Sequence, residues 1–307
     1  HEYSYYYVTY PDDSDDAEDI IQRIHYARSD HKGHHKPNEL IHLRKEALEE
    51  ARRFKEVAHR IEEAILDNSL ELNFQPIYSF EKNRITSLEV LSRLKDGKHN
   101  YINPEYFIHV AEINHTIIQL SRQMFEKTCR FAVDNNIFDR GINDMNINIS
   151  PIQCQDKHLV QDLKKIAAKY GIPFERFHFE ITESRLTDEK AVRETLTKLK
   201  ENGAKIALDD FGTGYSNIAS IMLMPIDFVK IDKSLLWSYA SGDNEFLNEL
   251  MPMIRGEGKK IIAEGIETEE HIEILRRMGG DFLQGYYYSK PLPEHEFVKY
   301  VREFNHV

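Results

Sequence analysis

The stretch that decides the fold reads KIALDDFG and covers residues 205–212. An apolar run of this kind, closed by turn residues, is typical of a strand that is buried on both faces. Similar short runs recur along the chain and are separated by amphipathic helical stretches. This alternation is the pattern of a parallel sheet with crossover helices.

Eight such runs follow residue 68. The predicted strands are 70–80, 85–94, 145–150, 176–182, 204–211, 228–232, 259–266 and 282–289. Residues 81–84 are too few for a helical crossover, so the first two strands should be antiparallel to each other. Eight strands in roughly 240 residues predict one TIM-like (β/α)8 barrel with an antiparallel strand near its start.

Composition excludes several classes of partner. The chain has 52 acidic and 40 basic residues, a net charge of −12, and so lacks the electrostatic footprint of a protein that binds duplex nucleic acid. Its two cysteines, Cys129 and Cys154, are too few for a disulfide framework and favour a reducing, cytoplasmic compartment. No apolar run reaches the roughly 18 residues of a membrane helix, so no membrane contact is expected within this chain, although a longer parent protein could be membrane-anchored.

Polar residues stand at the carboxyl ends of most predicted strands, where barrels of this kind build their sites. These residues are Asn148, Glu180, Asp209, Asp210, Lys230, Glu264, Glu267 and Gln284, and Glu89 joins them from the second strand. A single acid at a strand end is more often a helix cap or a turn residue. The recurrence on strand after strand, with an amide and a lysine among the acids, favours one shared site.

Carboxylate and amide oxygens suit Mg²⁺ or Mn²⁺ better than zinc. Adjacent residues on a regular strand face opposite sides, so Asp209 and Asp210 can share a site only where the strand ends. Two aspartates there can serve two cations, roughly 3.5–4 Å apart in known two-metal sites, and such a pair suits in-line displacement at phosphorus. Lys230 could orient a water or stabilise charge, and the alternative is a buried ion pair with Asp232.

A set of motifs covers residues 72–293. The motifs are FQPI (74–77), EVLSR (89–93), NIS (148–150), EITE (180–183), DDFGTGYS (209–216), KID (230–232), AEGIE (263–267) and QGY (284–286). In this order and spacing they resemble the EAL family of phosphodiesterases. The resemblance implies hydrolysis of cyclic di-GMP to linear pGpG by in-line attack of a metal-activated water, with two Mg²⁺ or Mn²⁺ ions. It also implies a homodimer formed through the barrel.

The resemblance implies a role for each matching residue. Four residues would ligate one metal ion: Glu89, Asn148, Glu180 and Asp209. Asp210 would serve a second ion, and Lys230 would contact the attacking water. Glu264 would act as a base or as a ligand through water, with Glu267 in support. Glu183 would anchor the loop 211–216, and three residues would hold substrate: Gln75, Arg93 and Gln284.

Two positions depart from the family pattern. Val90 replaces the alanine of the signature triplet, and by alternation it should face the helices, away from Glu89. Leu94 stands where the family often has tryptophan. Because every ligand position is retained, we expect an active enzyme. The alternatives are a receptor that binds cyclic di-GMP without cutting it and an unrelated metal-dependent barrel enzyme of the enolase type.

The amino-terminal part of the chain does not follow this alternation of strands and helices. The chain begins without methionine on a strand-like stretch, and we expect a piece of a longer protein. Residues 3–33 resemble the tail of a degenerate GGDEF domain, which gives a small α+β remnant. The expected division is a partial GGDEF-like remnant and linker over 1–38, a connector helix over 39–67, and the EAL barrel over 68–307.

Overall fold

A computed structural model describes residues 5–29, 40–43, 45–182, 190–212 and 224–306. Its amino-terminal part is a two-stranded parallel sheet of β1 (Tyr5–Tyr7) and β2 (Leu40–His42), with helix α1 (Ala17–Ser29) between the strands in sequence. Arg23 of α1 is buried, and its guanidinium donates to the carbonyl of Leu43 at 2.9 Å. This bond ties α1 to the end of β2.

Helix α2 (Lys45–Leu66) follows β2. The predicted connector helix over 39–67 is therefore wrong at its start, because residues 40–42 pair with β1 instead. Hydrogen bonds across the two strands satisfy the backbone there as a helix would, and local composition does not distinguish the two solutions. Within the described residues, no helix is both long enough and apolar enough to span a lipid bilayer.

Eight strands close into a barrel, as predicted. They are β3 (Glu71–Ser79), β4 (Arg84–Arg93), β5 (Asp144–Asn148), β6 (Phe177–Thr182), β7 (Lys205–Phe211), β8 (Phe228–Ile231), β9 (Lys260–Ala263) and β10 (Phe282–Leu283). Strand β3 is antiparallel to both β4 and β10, and the remaining pairs are parallel. The short strand β11 (Leu292–Pro293) pairs with residues 73–74 of β3 and is antiparallel to them.

Helices surround the barrel. They are α3 (Pro104–Ile113), α4 (Ile117–Asp134), α5 (Pro151–Cys154), α6 (Leu159–Lys169), α7 (Lys190–Glu201), α8 (Lys233–Ala240), α9 (Leu247–Gly256), α10 (Glu269–Met278) and α11 (Glu294–Asn305). Asn103 caps α3, and its side chain accepts from the N–H of Glu105 at 2.8 Å. Two short helices, α5 and α8, were not predicted, because each is too short to show a clear 3.6-residue period.

The barrel interior is filled in layers. A small apolar cluster of Ile77, Ala207, Phe228, Ile262 and Phe282 lies apart from the larger core between strands and helices. Each of the five stands two residues from a polar residue predicted for the site, and so on the same face of its strand. The apolar cluster therefore forms a floor directly beneath the carboxyl ends of the strands.

Barrel closure depends on a close backbone approach at Gly285. A Cβ atom built on Gly285 would lie 2.2 Å from the nitrogen and 2.3 Å from the oxygen of Ile266. Both backbone groups are engaged, since the Ile266 N–H donates to the carbonyl of Gln284 at 3.1 Å. The strand end that carries Gln284 can therefore reach β9 only if residue 285 has no side chain.

We expect Gly285→Ala to reduce the free energy of unfolding by at least about 3 kcal/mol, because the new methyl group overpacks against backbone that cannot retreat. Gly256→Ala is the matched control, since a Cβ atom at Gly256 would meet nothing within 4 Å. Urea denaturation of both variants measures the difference. Equal stability of the two variants would contradict this account of closure.

Candidate active site

Each of the eight barrel strands contributes one polar side chain to the same end of the barrel, the end where the parallel strands have their carboxyl termini. We call this set the polar layer: Gln75, Glu89, Asn148, Glu180, Asp209, Lys230, Glu264 and Gln284. Most of these side chains are buried, and Glu180 is fully so. Gln75 and Glu89 lie opposite each other in the β3–β4 register, and Asn148 pairs with Glu180 in the β5–β6 register. The structure thus brings together the residues that the strand ends predicted.

The ammonium group of Lys230 lies at the centre of the polar layer and is 1% exposed. Its Nζ lies 2.8 Å from Glu180, 2.9 Å from Glu264, 3.0 Å from Asp209 and 3.4 Å from Glu89. Four carboxylates therefore share one buried cation. Such a cluster is stable only if the charges stay paired, because an isolated buried charge is very costly.

The ion pair between Lys230 and Asp232 that the sequence left open is not among the contacts of the described residues. Asp232 instead caps α8, where its Oδ1 accepts from the N–H of Ser234 at 2.8 Å. The two side chains therefore have different roles: Lys230 pairs with the carboxylates of the polar layer, and Asp232 caps the next helix.

Three amides orient Glu89. Gln284 Nε2 donates to Glu89 Oε2 at 2.6 Å and to Gln75 Oε1 at 3.0 Å. Asn148 Nδ2 donates to Glu89 Oε1 at 2.9 Å, and Gln75 Nε2 donates to the carbonyl of Ser289 at 3.3 Å. Gln75 and Gln284 thus fix the direction of the Glu89 carboxylate, and their predicted contact with substrate remains a prediction.

A bulge in β7 brings Asp209 and Asp210 to the same side. The register against β8 shifts between Leu208 and Phe211, and Asp210 has a positive φ of 55°. This left-handed conformation is unusual for a residue with a side chain and breaks the alternation of the strand. Oxygens of Asp209, Asp210 and Glu264 consequently lie within 4.8 Å of one another. The two aspartates thus lie on the same side through this bulge and not through an end of the strand, because β7 continues to Phe211.

The pKa values of Lys230 and the carboxyl groups around it depend on burial and on the neighbouring charges. Burial alone would lower the pKa of Lys230, but its four carboxylate neighbours hold that pKa well above its usual range. Burial raises the pKa of Glu180 strongly, that of Glu264 to about 8 and that of Asp210 to about 6. Burial acts on Glu89 as well, but the charge of Lys230 and the amide hydrogen bonds bring its pKa below the ordinary value.

A cavity of about 680 Å³ opens over the polar layer. Its walls are the ends of β4 and β5 and the helices α3 and α4, and Arg93 lines it together with Asp209 and Asp210. Arg93 is half-buried, burial lowers the pKa of its guanidinium, and its Nη1 donates to the carbonyl of Ser92 at 2.9 Å. A polyanionic ligand in this cavity would meet acids on the floor and a cation on the wall.

The remaining predicted residues lie elsewhere. Glu267 is exposed on the connection after β9, and its N–H donates to His271 Nδ1 at 3.4 Å. Glu183 and residues 213–216 of the predicted loop lie outside the described residues. Val90 is buried in the core between strands and helices, as predicted, and Leu94 is buried in the same core.

One candidate was missed. Thr182 lines the cavity, stands in register with Asp209, and has a buried hydroxyl with no hydrogen-bond partner among the described residues. The available signal was its spacing, because it follows Glu180 by two residues and therefore shares its strand face.

Comparisons with known proteins agree with this geometry. The sequence model of the EAL domain matches residues 58–291. The signalling protein YkoW of Bacillus subtilis is 32% identical over 79% of this chain and 31% of its own length. The cyclic di-GMP phosphodiesterase NbdA of Pseudomonas aeruginosa is 26% identical over 96% of this chain and 38% of its own length. The chain thus spans about a third of the length of these curated relatives.

One solved structure is similar to this chain over almost the whole length of the solved structure. The PaMucR phosphodiesterase in complex with c-di-GMP superposes with a TM-score of 0.71 at 28% identity, over 78% of this chain and 99% of that chain.

The raised pKa of Glu264 predicts a pH dependence of stability. Since its pKa is about 8 in the folded protein against 4.5 as the ordinary value, its contribution to stability is present at low pH and is lost as pH rises from about 4.5 to 8. In the presence of a chelator, Glu264→Gln should therefore flatten the decline of the unfolding free energy between pH 5 and 8. Urea titrations across that range measure the slope.

Glu267→Gln is the control, because it removes a carboxyl group of the same connection that is exposed and outside the Lys230 cluster. The control should retain the wild-type slope. A slope for Glu264→Gln as steep as that of the wild type would contradict the assignment.

Proposed function

This chain belongs to the EAL domain family, and we propose that it is a metal-dependent phosphodiesterase that hydrolyses cyclic di-GMP to the linear dinucleotide pGpG. The observation that carries the proposal is the polar layer, in which carboxylates crowd at the floor of an open cavity. The relatives support the substrate, since NbdA is named a cyclic di-GMP phosphodiesterase and the PaMucR structure is a c-di-GMP complex.

The donor set fits Mg²⁺ or Mn²⁺. Carboxylate and amide oxygens are the ligands that these hard cations prefer. Glu180 Oε1 is buried and has no hydrogen-bond partner among the described residues, which leaves an oxygen free to coordinate. We propose that Glu89, Asn148, Glu180 and Asp209 hold one ion and that Asp210 serves a second.

The balance of charge favours the same conclusion. One ammonium cannot neutralise the four carboxylates around it, and burial together with the neighbouring carboxylates raises the pKa of Glu180 and of Glu264. A divalent cation would stabilise the ionised carboxylates, so its binding should release protons and strengthen as pH rises.

The proposed mechanism divides the work among the side chains. When bound, the cations supply Lewis acidity toward water and neutralise negative charge on the phosphate. Lys230 keeps the carboxylates in position and adds a fixed positive charge near the scissile phosphate. Glu264 is suited to take the proton of the attacking water, because a carboxyl pKa of about 8 lies close to neutral pH. Arg93 would bind a phosphate oxygen from the cavity wall, and Glu267 would support Glu264.

The proposal has three further parts, which concern the dimer, the cellular location and the domain division. A homodimer formed through the barrel is expected from the family resemblance. A cytoplasmic location suits an enzyme of a nucleotide signal and a chain with two free cysteines. The division into a partial GGDEF-like remnant, a connector helix and a barrel stays a proposal, and the family match begins at residue 58, inside the proposed connector helix.

We expect the purified protein to convert cyclic di-GMP to pGpG in the presence of Mn²⁺ and to lose this activity with excess chelator. Asp209→Asn should reduce kcat by at least about 100-fold, because a neutral amide cannot balance a cation as a carboxylate does. Chromatography of the nucleotides measures the substrate, cyclic di-GMP, and the product, pGpG.

The control is Asp139→Asn, which removes an exposed carboxylate before β5, at the opposite end of the barrel. It should retain wild-type turnover. Tight binding of cyclic di-GMP by a metal-loaded wild-type protein that forms no product would identify a receptor and refute the enzyme. Full activity of Asp209→Asn would refute the metal assignment alone.

A further inference from the structure

A short hairpin connects the two walls of the cavity. We call residues 94–102 the mouth hairpin. It leaves β4 directly after Arg93 and leads into α3, whose Pro104 lines the same cavity. Within the hairpin, Lys95 forms an antiparallel bridge with Tyr101. Because its two ends carry Arg93 and the start of α3, any displacement of the hairpin changes both walls.

The barrel anchors the inner side of the mouth hairpin. Lys95 Nζ donates to Glu71 Oε1 at 2.6 Å, and the Tyr101 hydroxyl donates to Glu71 Oε2 at 2.8 Å. Burial acts to raise the pKa of Glu71, but these two bonds bring it below the ordinary value. The carboxylate at the start of β3 is thus ionised and holds both strands of the hairpin.

Helix α2 anchors the outer side. Arg60 donates from both Nε and Nη2 to the carbonyl of Lys95, each at 3.3 Å. The third guanidinium nitrogen, Nη1, pairs with the carboxylate of Glu63 one turn further along α2. A guanidinium group offers its donors in a rigid fork, so the pairing with Glu63 fixes the direction in which the other two nitrogens point. Arg60 therefore joins a helix outside the barrel to the mouth of the site.

Buried apolar side chains seat α2 on the barrel, among them Val57, Ile61 and Ala64. Arg53 also stacks over the ring of Tyr106 on α3, with 4.5 Å from its guanidinium carbon to the ring centroid. These contacts hold the helix in place without Arg60. The bonds from Arg60 to the carbonyl of Lys95 therefore add a direct polar link between a helix that is already seated and the mouth hairpin.

We infer that Arg60 is a positioning residue for substrate binding, which holds the mouth hairpin so that Arg93 faces the cavity. The inference rests on the proposed function. Arg60 touches neither the polar layer nor the cavity, so it acts only through the hairpin. A link of this kind makes the affinity for cyclic di-GMP depend on how α2 is seated.

Arg60→Ala should raise KM for cyclic di-GMP about five-fold, which corresponds to the loss of one typical hydrogen bond. Its kcat should stay within about two-fold of the wild type, because the polar layer is unchanged. Arg60→Lys, which retains one donor for the Lys95 carbonyl, should give an intermediate KM. Steady-state kinetics with Mn²⁺ measure these values, and hydrogen exchange of residues 94–102 measures the hairpin directly.

Lys55→Ala is the matched control, since Lys55 is an exposed cation on the same helix with no contact to the hairpin. It should match the wild type in KM and in exchange. An unchanged KM for Arg60→Ala in an active protein, or an equal rise for Lys55→Ala, would overturn the inference. A loss confined to kcat would do the same.

The two proposals fail separately. If the wild type forms no pGpG, the proposed function fails, and hydrogen exchange still tests the role of Arg60. Arg60→Ala should accelerate exchange at the mouth hairpin and leave β6 and β7 unaffected. Unchanged exchange at the hairpin would overturn the inference. Glu63→Gln, which removes the ion pairs of Glu63 with Arg60 and His59, should also accelerate exchange at the hairpin, by less than Arg60→Ala does.

Discussion

The structure depends on keeping four carboxylates around one buried ammonium group. Glu89, Glu180, Asp209 and Glu264 stand on four different strands, and Lys230 pairs with all of them. Like charges this close repel strongly where water is scarce. Only a rigid frame can hold them together, and a closed barrel is such a frame, because every strand is hydrogen-bonded on both sides.

The layers around the cluster follow from this constraint. The apolar floor of Ile77, Ala207, Phe228, Ile262 and Phe282 excludes water from below, which strengthens the ion pairs and raises the pKa of the excess carboxyl groups. The bulge at Asp210 places one more carboxylate at the rim, where burial is incomplete and its pKa rises only to about 6. Glu264 therefore holds its proton more tightly than Asp210 at the rim, whereas Lys230 and the amide hydrogen bonds keep the pKa of Glu89 below its ordinary value.

Much of this arrangement could be predicted from local sequence. The strands were recognisable because each apolar run ends in a turn or a polar residue. Six of the eight members of the polar layer were assigned by reading each run to its end, and Glu89 was added from within the second run. Gln75 came only through the family resemblance, because β3 runs antiparallel and its polar residue does not stand at the end of the run. The start of α2 and the helix α8 could not be predicted, since strand pairing and a single Asp232 cap decide them.

Contacts between distant residues were also beyond the sequence. Nothing in the spacing of Gln284 and Gln75 indicates that both orient Glu89, and nothing near Arg60 indicates a bond to the carbonyl of Lys95. Such contacts depend on the exact register of the closed sheet. The sequence identifies the residue types of the site, whereas barrel closure decides which of them meet.

The central claim is that the polar layer is a site for divalent cations. It is tested most directly by anomalous scattering from crystals of the protein grown with Mn²⁺. The account predicts an anomalous peak between Asp209 and the carboxylates of Glu89 and Glu180, and a second peak at Asp210. Peaks only at exposed acidic residues, with the Lys230 ion pairs unchanged and no density in the polar layer, would contradict it.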